Sequence, residues 1–167
     1  MTSTMKGGIA EARITAEAVE LGVVVLRPLV EGRRYDLVFD VGGQLLRVQC
    51  KWASLKGDVV VIYTGGNRQT PRGYVRSTYT AEEVDAIAAY CAATRACYLI
   101  PIAHVAGRHV THLRLAAAAN NQKVAIKYAA DYEFTGAVAQ LGERRHGMAE
   151  VRGSIPLSSI EASEAAH

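Results

Sequence analysis

Residues 35–53, YDLVFDVGGQLLRVQCKWA, constrain this chain more than any other segment. They are two runs of alternating apolar and polar residues joined by Gly42 and Gly43. Period-two alternation is a strand signal, and a glycine pair tolerates the positive φ that a two-residue hairpin turn demands. The segment therefore predicts a strand over 35–41 and a return strand from Gln44. On the return strand Leu46, Val48 and Cys50 share one face, which leaves Gln49 and Lys51 on the other. Asp36 lies on the partner strand, so the short turn lets it converge with Gln49 and Lys51 on one face of the sheet.

The flanking segments extend this hairpin into a domain. From Lys6 the chain reads GGIAEARITAEAVELG, with Ile9, Ile14, Ala18, Val19 and Leu21 at helical spacing and Gly22 as a stop. VVVLRPLV, over 23–30, predicts a strand before the hairpin, and DVVVIYT, over 58–64, one after it. GGNRQTPRGYVRST reads as a long polar loop. Thr80 with Glu83 three residues on forms a capping box, predicting a second helix over about 81–90. ACYLIPIAHV, over 96–105, reads as a buried strand, HVTHLRL as a further one, and VAIKYAADYEF as a short helix or loop. The order is that of an α/β domain with a mixed sheet flanked by helices.

A length of 167 residues suits one ordinary domain, and 50% hydrophobic with 21% charged residues excludes a disordered or fibrous chain. Lys and Arg number 19 against 16 Asp and Glu, which permits a local basic face but no polycationic tail. Cys50, Cys91 and Cys97 form no CxxC pair, so neither a disulfide framework nor a zinc site is expected. The N-terminus lacks an apolar signal core and no apolar run reaches membrane-span length, so a cytoplasmic protein without a membrane partner is expected. After Phe134 the composition shifts to small and charged residues without period. The expected division is a domain over 1–135 and a weakly structured tail over 136–167.

Nucleotide-binding GxxxxGK(S/T) and GxGxxG motifs, the GxSxG elbow and the HExxH helix are all missing. The remaining constellation is Glu11 on the first helix with Asp36, Gln49 and Lys51 on the hairpin. Carboxylate and amide oxygens suit Mg²⁺, which prefers oxygen ligands and retained waters, and an ammonium beside them can orient water or offset phosphoryl charge. This is the chemistry of metal-assisted phosphodiester hydrolysis. Gln49, where a second carboxylate is commoner, implies weaker metal binding and a lower burial cost. Solvated strand edges carry Asp and Lys equally well, and spacing alone leaves both readings open. Asp40, on the same face as Asp36 but nearer the turn, suits turn capping. Glu11 could equally pair with Arg13 or a nearby Lys. Trp52 suits packing, His104, His109 and His112 surface or hydrogen-bonding roles, and Cys91 and Cys97 burial.

The blocks GGIAEARITAEAVELG, RYDLVFDVGGQLLRVQCKWA, YTAEEVDAIAAYCAATRACYLIPIAHV and NNQKVAIKYAADYEF, in that order, resemble the PD-(D/E)XK endonuclease group that includes a group I intron homing endonuclease with a Q-x-K variant. The resemblance covers residues 6–134. It implies the restriction-endonuclease-like fold and a Mg²⁺-dependent endonuclease that hydrolyses double-stranded DNA, in the homing version as part of a mobile element. It implies Asp36, Gln49 and Lys51 at the metal-binding and catalytic positions, with Asp36 and Gln49 as metal ligands, and Glu11 as the acidic residue of the first helix. Gln at position 49 departs from the superfamily's usual Asp or Glu but agrees with this subgroup. DNA contact is then expected from Arg33, Arg34, Lys56, Arg68, Arg72 and Arg76, with the loop 65–76 able to read base edges. One site per chain cuts one strand, so a homodimer or homotetramer is implied. A Holliday-junction resolvase or restriction-type nuclease shares this core, and a catalytically inactive DNA-binding module is the reading from another class.

The tail carries a second resemblance. GAVAQLGERRHGMAEVRGSIPLSS, over 136–159, looks like a transfer RNA gene read as protein, AQLGER matching the D-arm region and RGSIP the T-arm region. Such a tail implies a reading frame that runs into an adjacent tRNA gene.

Overall fold

The structure, a computed structural model, describes residues 1–30, 32–71, 73–116 and 126–138, with the backbone alone at 67–70 and 74. The chain begins with helix α1 (Ser3–Glu20), whose N-terminus is capped by Thr2: its hydroxyl accepts the Met5 N–H at 3.2 Å. Gly22, at φ +78, ends the helix as expected, and its N–H donates to the Val19 carbonyl at 2.9 Å. The first strand, β1 (Val24–Leu26), is shorter than the expected 23–30. Pro28 is the reason, since it offers no N–H and biases Arg27 toward a turn or extended exit.

The hairpin is as the sequence predicts. Strands β2 (Leu37–Val41) and β3 (Gln44–Lys56) pair antiparallel around Gly42 and Gly43, at φ +59 and +84. Asp40 caps the turn, its Oδ1 accepting the Gly43 N–H at 2.7 Å. Strand β4 (Val59–Ile62) returns along the far end of β3, and β9 (Thr111–Arg114) pairs with β4.

Two expectations fail. The polar stretch after β4 is not a loop but a two-stranded ribbon, β5 (Gly66–Thr70) and β6 (Gly73–Ser77), separate from the main sheet. Its strands, GNRQT and GYVRS, carry no apolar alternation in sequence, so the periodicity that marks the other strands is missing here. The second predicted helix, over 81–90, is absent as well. Half of the capping box forms, the Thr80 N–H donating to Glu83 Oε2 at 3.2 Å, while the Glu83 N–H donates to the Thr80 main-chain carbonyl at 3.1 Å and closes one turn only. AIAAYC is instead strand β7 (Ala86–Cys91), all six residues buried, running parallel to the middle of β3. A strand buried on both faces is apolar throughout, and such a run carries no period that separates it from a helix.

β7 turns into β8 (Ala96–Pro101), completing a seven-stranded mixed sheet. On one face Ala10, Ile14 and Ala18 of α1 pack on Phe39, Val48, Ala88, Leu99 and Phe134. On the other, Ile87, Ala89, Tyr98 and Ile100 pack with Tyr79, Val84, Leu113 and Tyr132, from turns rather than a flanking helix. Residues 136–138 of the predicted tail extend the packed unit, since Val138 is buried beside Phe134. The rest of the tail and its tRNA-like stretch lie outside the described residues. No described helix is long and apolar enough to cross a membrane.

Candidate active site

Asp36 immediately precedes β2, and its N–H donates to the Val48 carbonyl at 2.9 Å. That continues the β2–β3 ladder one step beyond the Leu37–Val48 pair and brings Asp36 opposite Gln49. The expected convergence is present. Asp36 Oδ2 accepts the Cys50 N–H at 2.7 Å and also accepts from the Gln49 side-chain amide. Among the described residues nothing donates to Oδ1. Burial raises the Asp36 carboxyl above its usual range, opposed by the Cys50 N–H, the Lys51 charge and the Gln49 amide. The ammonium that opposes this rise belongs to the third residue of the predicted set.

Lys51 lies two residues along β3 from Gln49 on the same face, and its Nζ donates to the Tyr79 hydroxyl at 3.0 Å. The fourth residue, Glu11, reaches the site from α1. Its Oε1 pairs with Arg27 Nη2 at 2.9 Å, not with Arg13, and both residues line an open cleft of about 360 Å³ with Arg33, Tyr35 and Asp36.

Among the described residues no group of three or more His, Cys, Asp or Glu could hold a metal. The donors here are hard oxygens, the Asp36 carboxylate, the Gln49 amide carbonyl once its amide turns, and the nearby Glu11 carboxylate. One or two carboxylates in an open cleft fit Mg²⁺, which keeps several waters, and do not fit a four-ligand zinc site.

The basic residues expected to touch DNA divide by environment. Arg33 is exposed at the cleft, Lys56 is exposed at the end of β3, and Arg76 is exposed on β6 beside a hollow of about 420 Å³ lined by Tyr63, Gly65 and His109. Arg68 belongs to β5, where only the backbone is described, and Arg72 lies outside the described residues. Arg34 turns inward. Its guanidinium donates to Glu83 Oε1 at 3.0 Å, to the Thr78 carbonyl at 2.8 Å and to Ser77 Oγ at 3.2 Å, and it stacks 4.2 Å from the Tyr79 ring centre.

With this geometry in view, the family model for PD-(D/E)XK endonucleases matches residues 1–135. The chain belongs to the PD-(D/E)XK endonuclease family. It is therefore a nuclease, and its mixed sheet is the restriction-endonuclease-like fold. A solved structure similar to it is that of a bacterial homing endonuclease, I-Ssp6803I, at 28% identity and a TM-score of 0.69, covering 89% of this chain and 99% of that one. No curated protein gives a significant match. As a family, PD-(D/E)XK nucleases use divalent metal ions, in keeping with the oxygen-rich cleft.

Two residues that shape this candidate site carry little signal in the sequence. Arg27 reads as an ordinary residue before Pro28, and nothing local ties it to Glu11. Tyr79 sits in the polar run STYT, where a lone aromatic ahead of a capping box was the only available hint. The expected minor roles are mostly visible: Trp52 packs edge-on against Tyr90 at 5.8 Å, His104 Nδ1 bonds the Tyr132 hydroxyl at 3.1 Å, and the three cysteines are free and buried.

Proposed function

We propose that this nuclease is a Mg²⁺-dependent endonuclease that hydrolyses phosphodiester bonds of double-stranded DNA, of the homing type, working as a homodimer or homotetramer. The observation that carries the reading is the convergence of Gln49 and Lys51 on Asp36, which lines the cleft with Glu11, in a chain of this family. A bound Mg²⁺ supplies Lewis acidity toward the phosphoryl group and lowers the pKa of water. Asp36 would hold the ion through its carboxylate, whose Oδ1 no donor among the described residues engages, while the Cys50 N–H fixes the carboxylate's orientation. Gln49 adds a neutral oxygen. Lys51 offers an ammonium to the phosphoryl oxygens as charge gathers there, and Glu11, held by Arg27, completes the acidic side of the cleft.

DNA contact follows from Arg33 at the cleft, the exposed Lys56 and Arg76, and the β5–β6 ribbon, since a two-stranded ribbon is an element that a major groove admits. The similarity to a homing endonuclease supports the homing version. Exposed apolar side chains at Val24 and Leu26 on the edge strand β1, with Leu45 two strands away on β3, support association of copies, because exposed apolar surface is costly to leave in water.

The test is cleavage of a supercoiled and linear DNA panel in Mg²⁺ by wild type, Asp36→Ala and Lys51→Ala. Wild type nicks or linearises DNA and both variants lose at least about a hundredfold. Equal nicking by all three sinks the reading. Including branched duplexes separates a junction resolvase, and light scattering of the eluted protein reads the number of copies.

A further inference from the structure

Tyr79 stands between the ribbon and the site. It is 5% exposed, and its hydroxyl accepts from Lys51 Nζ at 3.0 Å, with that nitrogen 5.0 Å from its ring centre. On the Arg34 side the guanidinium stacks at 4.2 Å. Arg34 in turn binds Ser77 Oγ and the Thr78 carbonyl, the residues where β6 leaves the ribbon. The start of β5 meets the same tyrosine: a Cβ on Gly66 would lie 3.3 Å from the Tyr79 hydroxyl and 3.4 Å from Arg34 Nη1. Behind Gly66, the N–H groups of Thr64 and Gly65 both donate to the His109 carbonyl, at 3.0 and 3.2 Å. Both strands of the ribbon are thus anchored at their roots, and one root bears on the hydroxyl that holds Lys51.

We propose that Tyr79 is a positioning residue for Lys51 and the link through which the root of the β5–β6 ribbon controls where that ammonium sits. A lysine side chain has four rotatable bonds and reaches many places, so a fixed acceptor is what gives its charge one position. The inference rests on the reading of Lys51 as a catalytic residue. It adds that the grip on Lys51 is set by the packing of Gly66, Ser77 and Arg34 around Tyr79, so that a displacement of the ribbon root reaches the site through one hydroxyl.

The experiment is a set of single-turnover cleavage rates at saturating DNA, with DNA affinity and Tm measured alongside. Tyr79→Phe keeps the ring and both cation contacts but removes the acceptor. It lowers the cleavage rate about tenfold with DNA affinity unchanged. Gly66→Ala, which presses on the hydroxyl, lowers the rate as well, and its effect disappears in the Tyr79→Phe background, where the pressed atom is gone. Lys51 labelling by an amine-acylating reagent, read by mass spectrometry, rises in Tyr79→Phe. A wild-type rate or unchanged labelling in Tyr79→Phe overturns the positioning role, and an undiminished Gly66→Ala effect in that background overturns the link. Lys51→Ala is the control: if it cuts at the wild-type rate, the catalytic reading itself fails, whereas a slow Lys51→Ala beside a fast Tyr79→Phe refutes only this inference.

Discussion

Gln49 stands opposite Asp36 across the β2–β3 pair, and its amide donates to the same Asp36 oxygen that accepts the Cys50 N–H at 2.7 Å. A neutral amide thus sits where a second carboxylate would repel the first. Gln49→Glu reverses this. Two carboxylates in contact disfavour the ionised pair, so the variant melts below wild type without metal. Added Mg²⁺ then raises its Tm more than it raises wild type's, by about 2 °C or more. Equal Mg²⁺ responses in thermal melts would show that position 49 does not face the ion.

Asp36 carries its own pH dependence. Burial raises its carboxyl above the ordinary 3.8, against the Cys50 N–H, the Lys51 charge and the Gln49 amide. The folded state therefore favours the neutral form. The stability this group lends is full below pH 3.8 and is lost as pH climbs through the raised folded value. Asp36→Asn, which cannot ionise, melts about 2 °C above wild type at neutral pH while losing cleavage, and the difference vanishes in acid. The acid limb of wild-type cleavage moves to lower pH as Mg²⁺ rises, because the ion favours the carboxylate. A stability advantage that grows in acid would reverse the sign of this account.

Arg34 joins the segment before β2 to the turn after β6. Arg34→Ala leaves Glu83 and the Thr78 carbonyl without their partner and costs about 2 kcal/mol in urea unfolding. Arg34→Lys recovers less than half, since one ammonium cannot bridge three acceptors and stack on Tyr79. Full recovery by lysine would mean that charge alone matters there.

Arg33 differs from its neighbour in being exposed at the cleft. With cleavage silenced by Asp36→Ala, Arg33→Ala weakens DNA binding and lowers the slope of log Kd against log salt by about 0.9, the share of one phosphate contact. An unchanged slope in salt titrations removes Arg33 from the interface.

Phe134 is fully buried and meets Phe39 edge-on at 5.8 Å, with Val138 packed beside it. Phe134→Ala costs about 3 to 5 kcal/mol in chemical unfolding. A chain ending at Val138 keeps the wild-type Tm and cleavage rate. A large loss on that truncation would assign the tail a share in the fold.

Legibility followed the source of each signal. The hairpin, the stop at Gly22 and the convergence of Asp36, Gln49 and Lys51 follow from period-two alternation and two glycines, all local. β7 was misread because AIAAYC is apolar at every position, and a capping box ahead of it favoured a helix that only the parallel partner β3 overrules. Arg47 helps that choice, its N–H and guanidinium both bonding the Asp85 carboxylate at the start of β7, at 2.7 to 3.0 Å, across 38 residues of sequence. The ribbon is illegible for the opposite reason, since GNRQT and GYVRS carry no apolar alternation in sequence.

The sequence by itself determined the hairpin that carries Asp36, Gln49 and Lys51, and its register, because a two-glycine turn and alternating side chains permit one arrangement of the two strands. Only the tertiary structure decided what surrounds it. It set Arg27 on Glu11, turned Arg34 inward and placed Tyr79 on Lys51, since each of these contacts joins residues that are distant in sequence and fit only once α1, the sheet and the ribbon are packed.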